Sequence, residues 1–97
     1  MEKKMAMVFH ALGDENRLQI IQLLLQGETC GCTMIHKLSI TQPTLSYHLK
    51  TLADANIITA HRKGNWKNYH INKEMAKEII SYLEKMQISN QSMECKM

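Results

Sequence analysis

Apolar residues recur along this chain with two different periods, and the change of period divides it. Met5, Val8, Phe9 and Leu12 fall three and four apart, which predicts an amphipathic first helix over about residues 2–11. Gly13-Asp14 interrupts it, and Asp14 is placed to cap a second helix striped by Leu18, Ile21, Leu24 and Leu25, with Ile20 broadening the stripe. Gly27 then ends that helix at the position where left-handed backbone is needed. A short third helix is predicted over about 32–38, burying Met34, Ile35 and Leu38, and Ser39-Ile40-Thr41 makes a tight connection. Thr41 can cap a fourth helix that tolerates Pro43 in its first turn, where early N–H groups lack intrahelical partners anyway. That helix reaches about residue 55 and buries Leu45, Leu49 and Leu52.

Past residue 55 the helical period stops. Residues 57–62 and 66–71 are strand-like, and Gly64-Asn65 between them reads as a hairpin turn. Met75, Ile79, Leu83 and Met86, with Tyr82 beside them, stripe a last helix to about residue 88. The predicted order is α-α-α-α-β-β-α, a mainly helical α+β chain in which a helix-turn-helix is followed by a hairpin: a winged helix. Residues 1–88 are expected to form this single domain and residues 89–97 a polar C-terminal tail, because 97 residues suffice for one core and not two.

Charge sharpens the picture. The formal net charge is only +3, yet residues 36–73 hold Lys37, Lys50, Arg62, Lys63, Lys67 and Lys73 against Asp54 alone, a net of +5. Residues 1–35 carry three basic against four acidic side chains, and residues 74–97 the same, so each flank is net −1. Positive charge is therefore confined to the middle of the chain, as a phosphate-facing surface requires. A recognition helix also needs short polar side chains near its N-terminus. With Leu45 and Leu49 inside, Gln42, Thr44, Ser46, Tyr47, His48 and Lys50 are expected to face out. Gln can contact adenine in a bidentate manner and Ser or Thr several base edges, whereas Lys50, Arg62, Lys63 and Lys67 suit phosphates. The expected partner is double-stranded DNA.

Three cysteines do not make a disulfide framework, and Cys30-Gly31-Cys32 is too tight to be part of one. Free thiols in a reducing cytoplasm are expected, since no apolar run reaches the roughly 18 residues of a membrane span and no uninterrupted apolar segment follows the charged start. Thiolates suit soft ions, and a helix N-terminus favours the ionised thiol. Two residues separated by one on a regular helix point about 200° apart, so gripping one ion is expected to unwind the first turn, with Gly31 easing the change. His36, four residues after Cys32, could complete a zinc or cadmium site. His10, His61 and His70 are scattered and read as surface or wing residues.

Leu12-Gly13-Asp14 through Arg17-Leu18, then Gln42-Pro43-Thr44-Leu45-Ser46-Tyr47-His48-Leu49-Lys50-Thr51-Leu52, then the Gly64-bearing wing and Tyr69 resemble the ArsR/SmtB repressors of the arsenic-repressor type over about residues 5–88. The resemblance implies a cytoplasmic homodimer built on the first and last helices, bound to a palindromic operator and released by its inducer. It also implies that Cys30 and Cys32 bind trivalent arsenic or antimony, with cadmium, lead or zinc as alternatives. The family pattern often has an acidic residue after the second cysteine and a third cysteine three residues beyond it. Here those positions are Thr33 and Ile35, so a third thiolate would come from Cys95 or an exogenous thiol. The zinc and cobalt pattern of the last helix is absent.

Other classes fit less well. No nucleophile, base and orienting group can be assembled from these spacings, so an enzyme is not expected. A protein-interaction module would not need the local +5. A thiol-redox repressor of the same fold shares every feature but the inducer.

Overall fold

The computed structural model describes residues 2–88; Cys95 and the expected tail lie outside the described residues. Helices α1 (Glu2–Leu12), α2 (Glu15–Leu25), α3 (Gly31–Leu38) and α4 (Gln42–Asp54) precede an antiparallel hairpin of β1 (Ile58–Lys63) and β2 (Trp66–Ile71), and α5 (Lys73–Gln87) follows. The predicted winged helix-turn-helix order is observed, with β1 and α3 each displaced by one residue from the sequence expectation.

Local chemistry accounts for the boundaries. The Asp14 carboxylate accepts from the Arg17 N–H at 3.1 Å and starts α2. Gly27, at φ 96, sits just past the Gln26 cap that ends it. The Thr41 hydroxyl accepts from the Thr44 N–H at 3.3 Å to start α4, whose Pro43 lies in the first turn. Asn72, not singled out by periodicity, caps α5 by accepting from the N–H groups of Glu74 and Met75. The hairpin closes at the Lys63–Trp66 pair, and Gly64 at φ 64 leads its two-residue turn.

The core joins Met5, Val8 and Ala11 of α1 to Ile20, Leu23 and Leu24 of α2, Met34 of α3, Leu45, Leu49 and Leu52 of α4, and Ile57, Ile58 and Met75. Burial departs from expectation in several helices: Phe9 of α1 is exposed, and Ile35 and Leu38 of α3 are only partly covered. In α2 the inward face is rotated by about one residue: Arg17, Ile20, Leu23 and Leu24 are buried, whereas Leu18 and Leu25 are exposed. Arg17 takes a place on that inward face, its guanidinium donating to the carbonyls that end α1. In α5 only Met75 is buried, Ile79 and Tyr82 are partly covered, and Leu83 and Met86 face outward. Phe9 of α1 lies at the edge of the same surface, 5.9 Å between ring centroids from Tyr82, and Lys4 pairs with Glu78 at 2.6 Å. No helix among the described residues is long and apolar enough to cross a membrane.

Candidate nucleic-acid interface and thiol crevice

Helix α4 presents Gln42, Thr44, Ser46, Tyr47 and Lys50 on its exposed faces, as its sequence pattern leads one to expect. His48 does not share them. Its side chain is turned inward, 7% exposed, and packs beside Arg17, itself 6% exposed. Arg17 Nε donates to the Ala11 carbonyl at 2.6 Å, Nη2 to the His10 carbonyl at 3.4 Å, and Nη1 to His48 Nδ1 at 3.2 Å. A guanidinium has no acceptor, so in this contact Arg17 is the donor. One buried cation thus ties the end of α1 to the middle of α4. Asp14 completes the cluster, its Oδ2 4.0 Å from His48 Nδ1, and its carboxyl is held below the ordinary carboxylate value chiefly by the Arg17 backbone N–H it accepts.

The basic residues divide into two kinds. Lys50 is paired with Asp54 one turn on, at 2.9 Å. Arg62, Lys63 and Lys67 are exposed on the wing and take no part in the ion pairs among the described residues. Ser46, Lys50 and Lys67 line one cleft between α4 and the wing, which places helix and hairpin side by side. His10, His61 and His70 are exposed as expected, and the last two stack edge to face on the wing, 5.1 Å apart.

The cysteines depart from the expected geometry. Cys30 is not in the helix; it is the N-cap of α3, with extended backbone at φ −99 and ψ 129, and only the residues from Gly31 on are helical. The pair therefore spans a strand-to-helix corner rather than two positions of a regular turn. Its sulfurs converge to 2.6 Å instead of diverging. The Cys30 thiol is held below its ordinary value of 9.0, first by the hydrogen bond from the Cys32 thiol and then by the Cys32 backbone N–H. His36 is exposed, and among the described residues no three His, Cys, Asp or Glu side chains form a metal-holding group.

The thiols open into a crevice of about 330 Å³ between α3, α4 and the wing, lined by Gln42, Leu45 and Ser46 on one side and Trp66, Lys67 and Tyr69 on the other. Burial raises the Tyr69 hydroxyl above its ordinary value. The strand-like Thr29-Cys30 segment is stitched to β2, since the Tyr69 N–H donates to the Thr29 carbonyl at 3.1 Å and Cys30 forms an antiparallel bridge with Asn68. By sequence Trp66 and Asn68 are strand residues only, and nothing in the linear pattern links them to a C-x-C thirty-odd positions earlier.

The comparisons with known proteins bear on this arrangement. A family model described as "Bacterial regulatory protein, arsR family" matches residues 14–60, from the cap of α2 into β1. The chain is 36% identical over 94 residues to the arsenical resistance operon repressor of Staphylococcus aureus, covering 97% of this chain and 90% of that protein. The chain belongs to the arsR family of bacterial regulatory proteins. The arsenical resistance operon repressor of Bacillus subtilis (strain 168) is 44% identical over 80 residues, with 81% and 76% covered. Two solved folds superpose closely on this arsR-family chain. An ArsR-like transcriptional regulator from Rhodococcus sp. RHA1 gives a TM-score of 0.81 at 21% identity over 89% of this chain and 79% of that one. The homodimeric winged helix-turn-helix DNA-binding domain from Mycobacterium bovis gives 0.71 at 24% identity over 98% and 89%. Membership makes the chain a DNA-binding transcriptional regulator and not an enzyme.

The lowered Cys30 thiol has a measurable consequence. Thiolate is the nucleophile, and a depressed pKa keeps it present at lower pH. In a Cys95→Ser background, alkylation of Cys30 by iodoacetamide should show its pH midpoint below that of a free cysteine. Cys32→Ala should move the midpoint up, because it removes the leading stabiliser of the anion; an unmoved midpoint would mean Cys32 does not hold that charge.

Proposed function

We propose that this protein is a homodimeric repressor that binds double-stranded operator DNA through α4 and the wing, and releases it when trivalent arsenic or antimony is captured by Cys30 and Cys32. The observation that carries the inducer reading is the convergence of the two sulfurs, 2.6 Å apart, at the mouth of a crevice shared with the reading helix. Two adjacent thiols on one side of a crevice need only a small separation to share one ion, and soft ions prefer thiolate donors. Capture exchanges two As–O bonds of arsenite for two As–S bonds; the two thiol protons leave with the displaced hydroxides as water, and arsenic stays trivalent. Cys95, outside the described residues, is the proposed third thiolate. The names of the staphylococcal and Bacillus relatives support an arsenical inducer.

For DNA, the proposed base contacts are Gln42, Thr44, Ser46 and Tyr47, and the proposed phosphate contacts are Lys50, Arg62, Lys63 and Lys67. His48 is withdrawn from that set and given the task of holding α4 against Arg17. The proposed dimer face is the apolar surface of α1 and α5, where Phe9, Leu83 and Met86 lie outside the core of a single chain. A homodimer is also the assembly of the Mycobacterium bovis domain.

The test is a release titration of operator-bound protein against arsenite, antimonite, cadmium, lead, zinc and peroxide. Arsenite and antimonite should release the DNA. Cys30→Ser and Cys32→Ser should each abolish release while operator affinity without inducer is kept, and Cys95→Ser should reduce it if the tail supplies the third thiolate. Release by cadmium, lead or zinc alone would move the assignment to those ions. The same sulfur contact suits two-electron oxidation, so release by peroxide but not by metalloid would make the protein a redox repressor.

A further inference from the structure

The thiol pair has two neighbours that could transmit its occupancy, and the wing is the more intimately joined. Cys30 belongs to the sheet edge as much as to α3. Its backbone bridges Asn68, the preceding Thr29 carbonyl accepts from the Tyr69 N–H, and the Thr29 hydroxyl lies 3.5 Å from Asn68 Oδ1. Beyond the sulfurs, the far wall of the crevice is made by Asn65, Trp66 and Lys67 of the hairpin. Trp66 is the chain's only tryptophan, 67% exposed, and pairs across the hairpin with Lys63. A large apolar side chain left this exposed on a basic wing contributes little to folding, yet it lines the crevice together with the thiols and Lys67 and is paired across the hairpin with Lys63. Gln42 and Ser46, which face DNA, line the same crevice.

We infer that Trp66 is a residue of the inducer site, and that the wing is the element an inducer on Cys30 and Cys32 displaces. The inference rests on the thiol reading above and adds its output. A ligand can shift an equilibrium only through a difference in its interactions with two states. Here the difference is steric and local: a group seated on the sulfurs occupies the space between α3 and the hairpin, and the indole is the bulk it meets. Moving the indole swings Lys63 and Lys67 away from the phosphates they share with α4. No reorganisation of α4 itself is required. Operator and inducer then oppose each other with equal coupling in both directions.

The experiment uses the full chain, its own upstream DNA and arsenite as the probe. Arsenite occupancy is followed by loss of titratable thiols, and operator affinity by fluorescence anisotropy with and without arsenite. In the parent protein, arsenite should change Trp66 emission with the midpoint at which DNA is released, and Cys30→Ser should abolish both. In Trp66→Ala arsenite should still consume the thiols, while the ratio of operator affinities without and with arsenite falls at least tenfold from the parent ratio. Trp66→Phe should recover part of that ratio. Each variant is compared with its own arsenite-free baseline, so a change in DNA affinity does not mask the result. A Trp66→Ala ratio equal to the parent's, or Trp66 emission indifferent to arsenite that has consumed the thiols, overturns the inference while leaving the thiol reading intact. Arsenite that leaves the parent's thiols free overturns both.

Discussion

Raising monovalent salt from about 50 to about 200 mM should weaken operator binding by roughly three orders of magnitude. The size follows from the unpaired wing cations. Arg62, Lys63 and Lys67 have no carboxylate partner among the described residues, so their charge is available to phosphate. Lys50 must first share or give up Asp54. A dimer offering three such cations per protomer makes about six phosphate contacts, and counterion release then gives a log–log slope of about −5. Lys63→Gln should reduce the steepness of that slope by about two, because each dimer loses two contacts, with little change in which sequence is preferred. Anisotropy titrations at four or five salt concentrations measure both. A slope near zero would place the basic wing away from the phosphates and remove the main support for its role in binding.

The second large effect concerns folding. Arg17→Ala should destabilise the protein by about 3 kcal/mol, because it strips donors from two carbonyls and an imidazole nitrogen that are shielded from water. For a domain of this size that corresponds to a fall in Tm of roughly 10–20 °C at fixed protein concentration. The geometry gives the reason lysine should not rescue it. Nε, Nη1 and Nη2 reach three acceptors on two helices, and an ammonium on a flexible stem cannot span Ala11, His10 and His48 together. Because the bridge anchors α4, the surviving folded protein should also bind its operator more weakly than the parent. Thermal unfolding of Arg17→Lys and Arg17→Ala within a few degrees of the parent would show that the core alone holds α1 against α4.

These two effects differ in how far they could be seen in the amino-acid order. The basic excess over residues 36–73 is a property of composition, and it needed only the correct assignment of helix and hairpin to become a surface. The Arg17 bridge could not be read that way. Arg17 precedes the apolar stripe by one position and resembles an ordinary solvated charge, and His48 sits among the exposed polar residues of α4. Each looks exposed until the two helices are brought together.

What the linear order determined by itself was whatever depends on near neighbours: the caps at Asp14 and Thr41, the glycine turns at 27 and 64, the buried Leu45, Leu49 and Leu52, the change of period at the wing, and hence the fold. Local propensity and burial periodicity act over a few residues, so they survive without a third dimension. What only the tertiary structure decided was which way ambiguous side chains turn and what they meet. Arg17 joined the inward face of α2, His48 turned inside, the stripe of α5 was left largely outside the single-chain core, and Cys30 became a sheet-edge residue whose sulfur meets that of Cys32 beside Trp66. Each of these was settled by partners distant in sequence, through unsatisfied carbonyls, a shared crevice or a strand edge, and no local pattern records such partners.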